Sequence, residues 1–143
     1  LWFVCLPVQL GQVSAEPLAI GVPGWVGAAR AVTGILFETF GDAQLVAFKA
    51  NPANKGLVMD KGLWRYTRHP NYFGDACTWW GLFLIGAETM PGPLALPGPV
   101  LLTYLLTKWS GVPTVEGKLN RSRPGYADYV RRTSGFVPMP PKA

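Results

Sequence analysis

The sequence predicts an all-α fold, a multi-pass transmembrane helix bundle with a cytoplasmic C-terminal tail. Three observations predict it. Of the 143 residues, 49% are hydrophobic and 15% charged, where a soluble domain carries about 25% charge, and mean hydropathy is positive. Charge is also blocked. Between Ala76 and Thr107 the only charge is Glu88, whereas from Lys108 onward seven Lys or Arg face Glu116 and Asp128. Finally, two apolar spans flank a turn rich in proline and glycine, which makes a hairpin with two basic ends. Such blocks read as cytoplasmic surfaces alternating with lipid, not as a nucleic-acid patch, despite the net charge of +5.

In chain order, Leu1–Leu10 reads as the tail of a membrane helix. With no initiator Met and an apolar start, the chain is expected to be a fragment lacking upstream sequence. Gly11–Pro17 reads as a loop holding Glu16. Leu18 to about Phe37 is long enough to span a bilayer. Its Pro23 and four glycines are tolerable where helices pack closely, and the helix is able to run on to Ala50. On that extension Glu38, Asp42 and Lys49 fall on one stripe. Ionisable groups at membrane depth face an interior or a water-filled cavity; a solvated helix end explains the same charges, and Lys49 lies outside the bilayer.

Asn51–Lys61 is a polar loop. Pro70 to about Thr89 is the next helix. Met90–Pro99, with four prolines and two glycines, is a turn. Val100–Trp109 is a further apolar helix, beginning as early as Leu94. Both polar ends of this hairpin are basic, which places them on the cytoplasmic side. Beyond Pro113 the chain is polar, with Glu116–Asn120 extending the helix, a short amphipathic helix over Pro124–Arg132 and an extended proline-rich close. Cys5 and Cys77 read as buried free thiols, and one histidine with two scattered cysteines does not make a zinc site.

The most informative stretch is Gly62-Leu63-Trp64-Arg65-Tyr66-Thr67-Arg68-His69-Pro70-Asn71-Tyr72-Phe73-Gly74-Asp75. Pro70 suits a first helical turn, so Arg65, Arg68 and His69 lie just before a helix N-terminus, where free N–H groups and the dipole favour an anion. Asn71, Asp75, Thr78 and Leu82 share the following face. No Gly-x-Gly-x-x-Gly follows a strand, so a Rossmann domain is unsupported.

This stretch with Trp79-Trp80, the upstream Phe37-Glu38-Thr39-Phe40-Gly41-Asp42-Ala43-Gln44 and the downstream segment from Arg123 to Pro138 resembles the C-terminal domain of steroid 5-alpha-reductase-like membrane proteins, chiefly their bacterial members. The Arg-His-Pro-x-Tyr-x-Gly core is also shared by isoprenylcysteine-type carboxyl methyltransferases. The resemblance implies residues 1–143 are the cofactor-binding membrane domain of an integral protein of a bacterial inner membrane. It implies NADPH as cofactor, with Asn71 and Asp42 matching contact residues, Lys49 standing where a steroid reductase has Arg, and Glu38 departing from the Asn found there.

Arg65, Arg68, Arg121 and Arg123 are candidates for the cofactor phosphates, Arg68 foremost; positive-inside topology accounts for such residues equally well. His69 is placed to hold the adjoining loop or a ligand. Tyr66 and Tyr72 are placed to close the pocket or to anchor at the interface. Glu116 is placed to pair with Arg65, Arg68 or Arg121, and Tyr126 and Tyr129 to dock the tail. The substrate-activating Glu and Tyr of steroid reductases belong to an upstream half, so no catalytic acid is assigned. The expected reaction is NADPH-dependent reduction of a C=C bond in a lipid-soluble enone, sterol-like or fatty acyl. The alternatives are an S-adenosylmethionine-dependent methyltransferase and a membrane protein without catalysis.

Overall fold

The computed structural model describes residues 2–13, 19–109 and 111–142. Most of the expected Gly11–Pro17 loop, with Glu16, and the start of the span at Leu18 lie outside the described residues. Six α-helices are described: α1 (Leu6–Gly11), α2 (Val22–Ala50), α3 (Pro70–Gly86), α4 (Pro97–Tyr104), α5 (Val112–Ser122) and α6 (Tyr126–Arg132). There is no strand among the described residues; Thr67 and Ser134 form a lone parallel bridge. The all-α class is therefore as the composition indicated. Among the described residues α2 is the one helix long and apolar enough to cross a membrane.

The chain forms two compact units, Leu1–Ile35 with Gly74–Leu105, and Leu36–Phe73 with Leu106–Ala143. In the first unit α2 and α3 meet through glycine. A Cβ on Gly81 would sit 2.5 Å from the Gly27 carbonyl oxygen, and one on Gly34 would collide with the Gly74 carbonyl and the Thr78 backbone. The pairs 27/81 and 34/74 run in opposite senses along the two helices, so these segments are antiparallel. The buried residues here are correspondingly small: Ala31, Ala76, Cys77 and Ala95. Backbone approach of this kind replaces large interdigitating side chains and leaves Trp25, Val26, Val32 and Ile35 exposed on α2.

Glu88 secures the start of α2. Its carboxylate accepts from Gly21 N at 3.1 Å and Gly24 N at 2.9 Å, satisfying N–H groups that the first turn leaves without partners. Across the same unit, Trp80 Nε1 donates to Thr103 Oγ1 at 3.1 Å, tying α3 to α4.

Helix limits depart from the sequence reading in three places. Residues 2–5 are turn and α1 begins only at Leu6, where Pro7 lies in the first turn. The helix expected from Val100, or from as early as Leu94, starts between the two at Pro97, because Pro97 and Pro99 lie in a first turn that needs no N–H from them. Likewise α5 starts at Val112, with Pro113 second, not at Glu116. Between α4 and α5, Leu105–Trp109 winds as a π-helical turn.

In the second unit the C-terminal part of α2 carries the Gly62–Arg65 turn. Trp64 Nε1 donates to the Gly41 carbonyl at 2.9 Å and Leu63 N to Gln44 Oε1 at 2.9 Å. Gly62, at φ +58°, lies against the Gln44 amide. Asn54 Nδ2 donates to Phe48 O, one of the last carbonyls of α2. The tail from Thr133 is extended and pinned: Arg68 N donates to Ser134 O, Met139 N to Tyr66 O and Lys142 N to Arg132 O, each at 2.9 Å.

Gly81→Val is expected to lower stability by about 1–3 kcal/mol through overpacking against the Gly27 backbone. Gly117→Ala, which meets open space inside α5, is expected to raise it by up to about 1 kcal/mol. Thermal unfolding of both variants in detergent measures the difference.

Candidate functional site

The second unit gathers its polar chemistry at the start of α3. Arg68 and His69 precede the helix, and Glu116 approaches from α5. Arg68 Nε donates to Glu116 Oε1 at 2.7 Å and Nη2 to Oε2 at 3.4 Å, while Nη1 donates to the carbonyls of Thr133 at 2.6 Å and Val130 at 3.0 Å. A guanidinium has five donors in a fixed fork; four hydrogen bonds to α5, α6 and the tail engage most of them. His69, 3% exposed, shares Glu116 Oε1 through Nε2 at 3.0 Å, and its ring stacks on Tyr72 at 5.3 Å. Thr67, fully buried, donates its hydroxyl to Phe136 O at 2.8 Å and accepts from His69 N.

In the first turn of α3, Asn71 Oδ1 accepts from Tyr72 N at 3.0 Å, and Nδ2 has no partner among the described residues. The α2 face opposite is close: a Cβ on Gly41 would lie 3.2 Å from Pro70 Cγ and 3.4 Å from Asn71 N, and Phe37 meets Phe73 edge-on at 5.3 Å. Glu38 and Asp42, beside Gly41 on α2, are both exposed.

Next to this network lies a cavity of about 160 Å³. Its walls are apolar, from Leu45, Phe48, Val58, Met59, Trp64 and Leu119, with Lys49, Arg68 and Arg123 as cations and Tyr126 and Tyr129 as phenols. The Tyr129 hydroxyl donates to Trp64 O at 2.5 Å. The Tyr126 hydroxyl is buried and has no hydrogen-bond partner among the described residues.

A family model described as a protein of unknown function, DUF1295, matches residues 1–133. The chain belongs to the DUF1295 family. No curated protein and no solved structure matches it.

In this DUF1295 chain the sequence-predicted residues separate into groups. Arg68 and His69 converge on Glu116, one of whose expected partners was Arg68. Asn71 and Tyr72 lie on the adjoining turn of α3, and Lys49 shares the cavity wall with Arg68. Arg65 is elsewhere, in an open cleft with Lys61, Arg132 and Lys142. Arg121 is exposed on α5 and makes no ion pair among the described residues. Sequence reasoning passed over Thr67 and Trp64, which hold the turn, and the 2.8 Å pair between Arg132 and Asp60. The dense polar content of the 62–75 stretch was the available signal for the first two. It also gave Arg68 to a phosphate, whereas the guanidinium is occupied by protein groups.

Burial of Glu116 pushes its carboxyl up, but hydrogen bonds from His69 and Arg68 outweigh this and hold it below the usual range. The Tyr126 phenol is pushed up to about 12, first by burial and then by Glu116, and burial raises Tyr129 too. Both phenols are neutral at physiological pH.

Because the folded value of Glu116 is depressed, its stabilisation is present above the unfolded value near 4.5 and is lost as pH falls through the lower folded value. Glu116→Gln should therefore destabilise by about 1.5–3 kcal/mol at pH 7. Chemical unfolding across pH 7 to 3 checks this, the gap to the unmodified protein closing below the carboxylate range. A second comparison separates the phenols. Tyr129→Phe strands the Trp64 carbonyl and should cost about 1–3 kcal/mol, while Tyr126→Phe removes an unpaired buried hydroxyl and should leave stability unchanged or raised.

Proposed function

We propose that this chain is the NADPH-binding part of a multi-pass membrane reductase acting on a C=C bond of a lipid-soluble enone. The cavity with its unpaired Tyr126 hydroxyl and cationic wall is the observation that carries the reading. A cavity near 150 Å³ takes a benzene ring, so about 160 Å³ fits one flat ring system such as adenine. The Tyr126 hydroxyl offers that ring both a donor and an acceptor. Lys49 and Arg123, on the same wall, suit the 2′-phosphate that separates NADPH from NADH. Asn71, with Nδ2 unengaged and one Oδ1 lone pair in use, suits a carboxamide. When bound, the nicotinamide would supply the hydride. The protein's own residues bind and orient.

The likeness of the 62–75 stretch to steroid 5-alpha-reductase-like proteins supports the same reading, and Arg68 then acts as the brace of the site. The exposed apolar side chains of α2 and α4 support burial in lipid, with the basic loops around Asn51–Pro70 and the tail on the cytoplasmic face.

Asn71→Ala is expected to weaken NADPH binding by about 1–3 kcal/mol without loss of fold, and Tyr126→Phe to weaken it while leaving stability intact. Calorimetric titration of the detergent-solubilised protein with NADPH and with S-adenosylmethionine decides between cofactors. Tight S-adenosylmethionine binding with none for NADPH assigns the chain to methyl transfer instead, since the Arg-His-Pro-x-Tyr-x-Gly core serves either.

A further inference from the structure

The open cleft that holds Arg65 is separate in composition from the cavity above and has no role in the cofactor reading. It measures about 460 Å³, and Lys61, Arg65, Arg132 and Lys142 line it against a single carboxylate, Asp60. Asp60 is already engaged by Arg132 at 2.8 Å, and Arg132 also reaches Asp128 at 3.2 Å. Lys61, Arg65 and Lys142 make no ion pair among the described residues. The cleft thus holds three uncompensated cations and one whose position is fixed.

Its walls are built by backbone hydrogen bonds. Lys142 N donates to Arg132 O, which brings the end of the tail to the cleft, and Met139 N donates to Tyr66 O, next to Arg65. Tyr66, which follows Arg65 in the chain, is 44% exposed, and Met139, whose N–H donates to Tyr66 O, is 57% exposed. Cations with apolar and aromatic side chains next to them suit a headgroup layer, where the charges meet lipid phosphates and the apolar groups enter the acyl boundary. A soluble phosphate uses the cations alone and makes no use of the exposed Tyr66 and Met139.

We infer that this cleft binds the phosphodiester headgroup of an anionic phospholipid and so fixes the C-terminal tail on the membrane surface. The inference rests on the membrane reading above. The test titrates the full chain, purified in neutral detergent, with short-chain phosphatidylglycerol, with phosphatidylcholine and with inorganic phosphate as comparisons. Saturable, salt-sensitive binding of phosphatidylglycerol is expected. At about 1 kcal/mol per cation near an anionic surface, or roughly fivefold each, Lys61→Gln with Arg65→Gln should weaken it about 25-fold. Lys142→Gln, at the exposed chain end, should weaken it about fivefold, and serves if the double variant does not fold. Equal binding of phosphatidylcholine, equal competition by inorganic phosphate or indifference to these substitutions overturns the inference. Release of the chain from carbonate-washed membranes sinks the membrane reading itself. A membrane-retained chain blind to headgroup charge sinks only the cleft.

Discussion

The second unit depends on one ion pair and what surrounds it. Arg68 and Glu116 are 12% and 21% exposed at the side chain, so neither charge is fully solvated. A half-buried pair is stable only when its remaining donors and lone pairs are used. The Thr133 and Val130 carbonyls use the rest of the guanidinium, and His69 takes the second share of the Glu116 oxygen. That arrangement joins the turn before α3 to helix α5, helix α6 and the tail, which lie 47 to 65 residues further along the chain. The cavity inherits its shape from the same bonds, because Trp64, Arg68, Tyr126 and Tyr129 all line it.

Two modes of packing follow from two kinds of sequence. Around Gly27, Gly34, Gly74 and Gly81 the backbones themselves touch, and the buried side chains are Ala and Cys. Around Arg68 the buried residues are Pro70 and, all with polar side-chain atoms, Trp64, Thr67, His69, Tyr126, Tyr129 and Thr133. The first mode tolerates no added methyl group at a contact. The second tolerates no lost polar partner, with the Tyr126 hydroxyl as its exception.

The sequence made the helices legible because apolar runs and prolines mark them directly. Pro70 at the start of α3 is one case, and the start at Val112, ahead of the Glu116 read from the sequence, shows the limit, since proline marks a first turn as readily as a break. The glycines of α2 recur every seven residues at 27, 34 and 41, as do 74 and 81 in α3. Of these, Gly27 and Gly34 read as residues tolerated where helices pack closely, but nothing local names the partner helix. The pairing of Glu116 with Arg68 was legible only as one of three choices, and its carbonyl acceptors were not legible at all: a backbone oxygen 65 residues away leaves no periodicity. Arg65 and Arg68, three residues apart, were grouped as cations, yet they serve different surfaces.

The tail has a consequence for how the chain is made. Arg68 leaves the ribosome long before Glu116 and Thr133 exist, and bringing them together closes a long loop at an entropic cost. A chain ending at Arg132 would contain all six described helices and the Glu116 carboxylate. It would still lack the Thr133 carbonyl, the Ser134 acceptor for Arg68 N and the Phe136 acceptor for Thr67. Synthesis of residues 133–136 thus decides whether the buried polar layer closes. A product terminated at Arg132 carries an open polar layer, and such partly closed structure is what proteases cleave first.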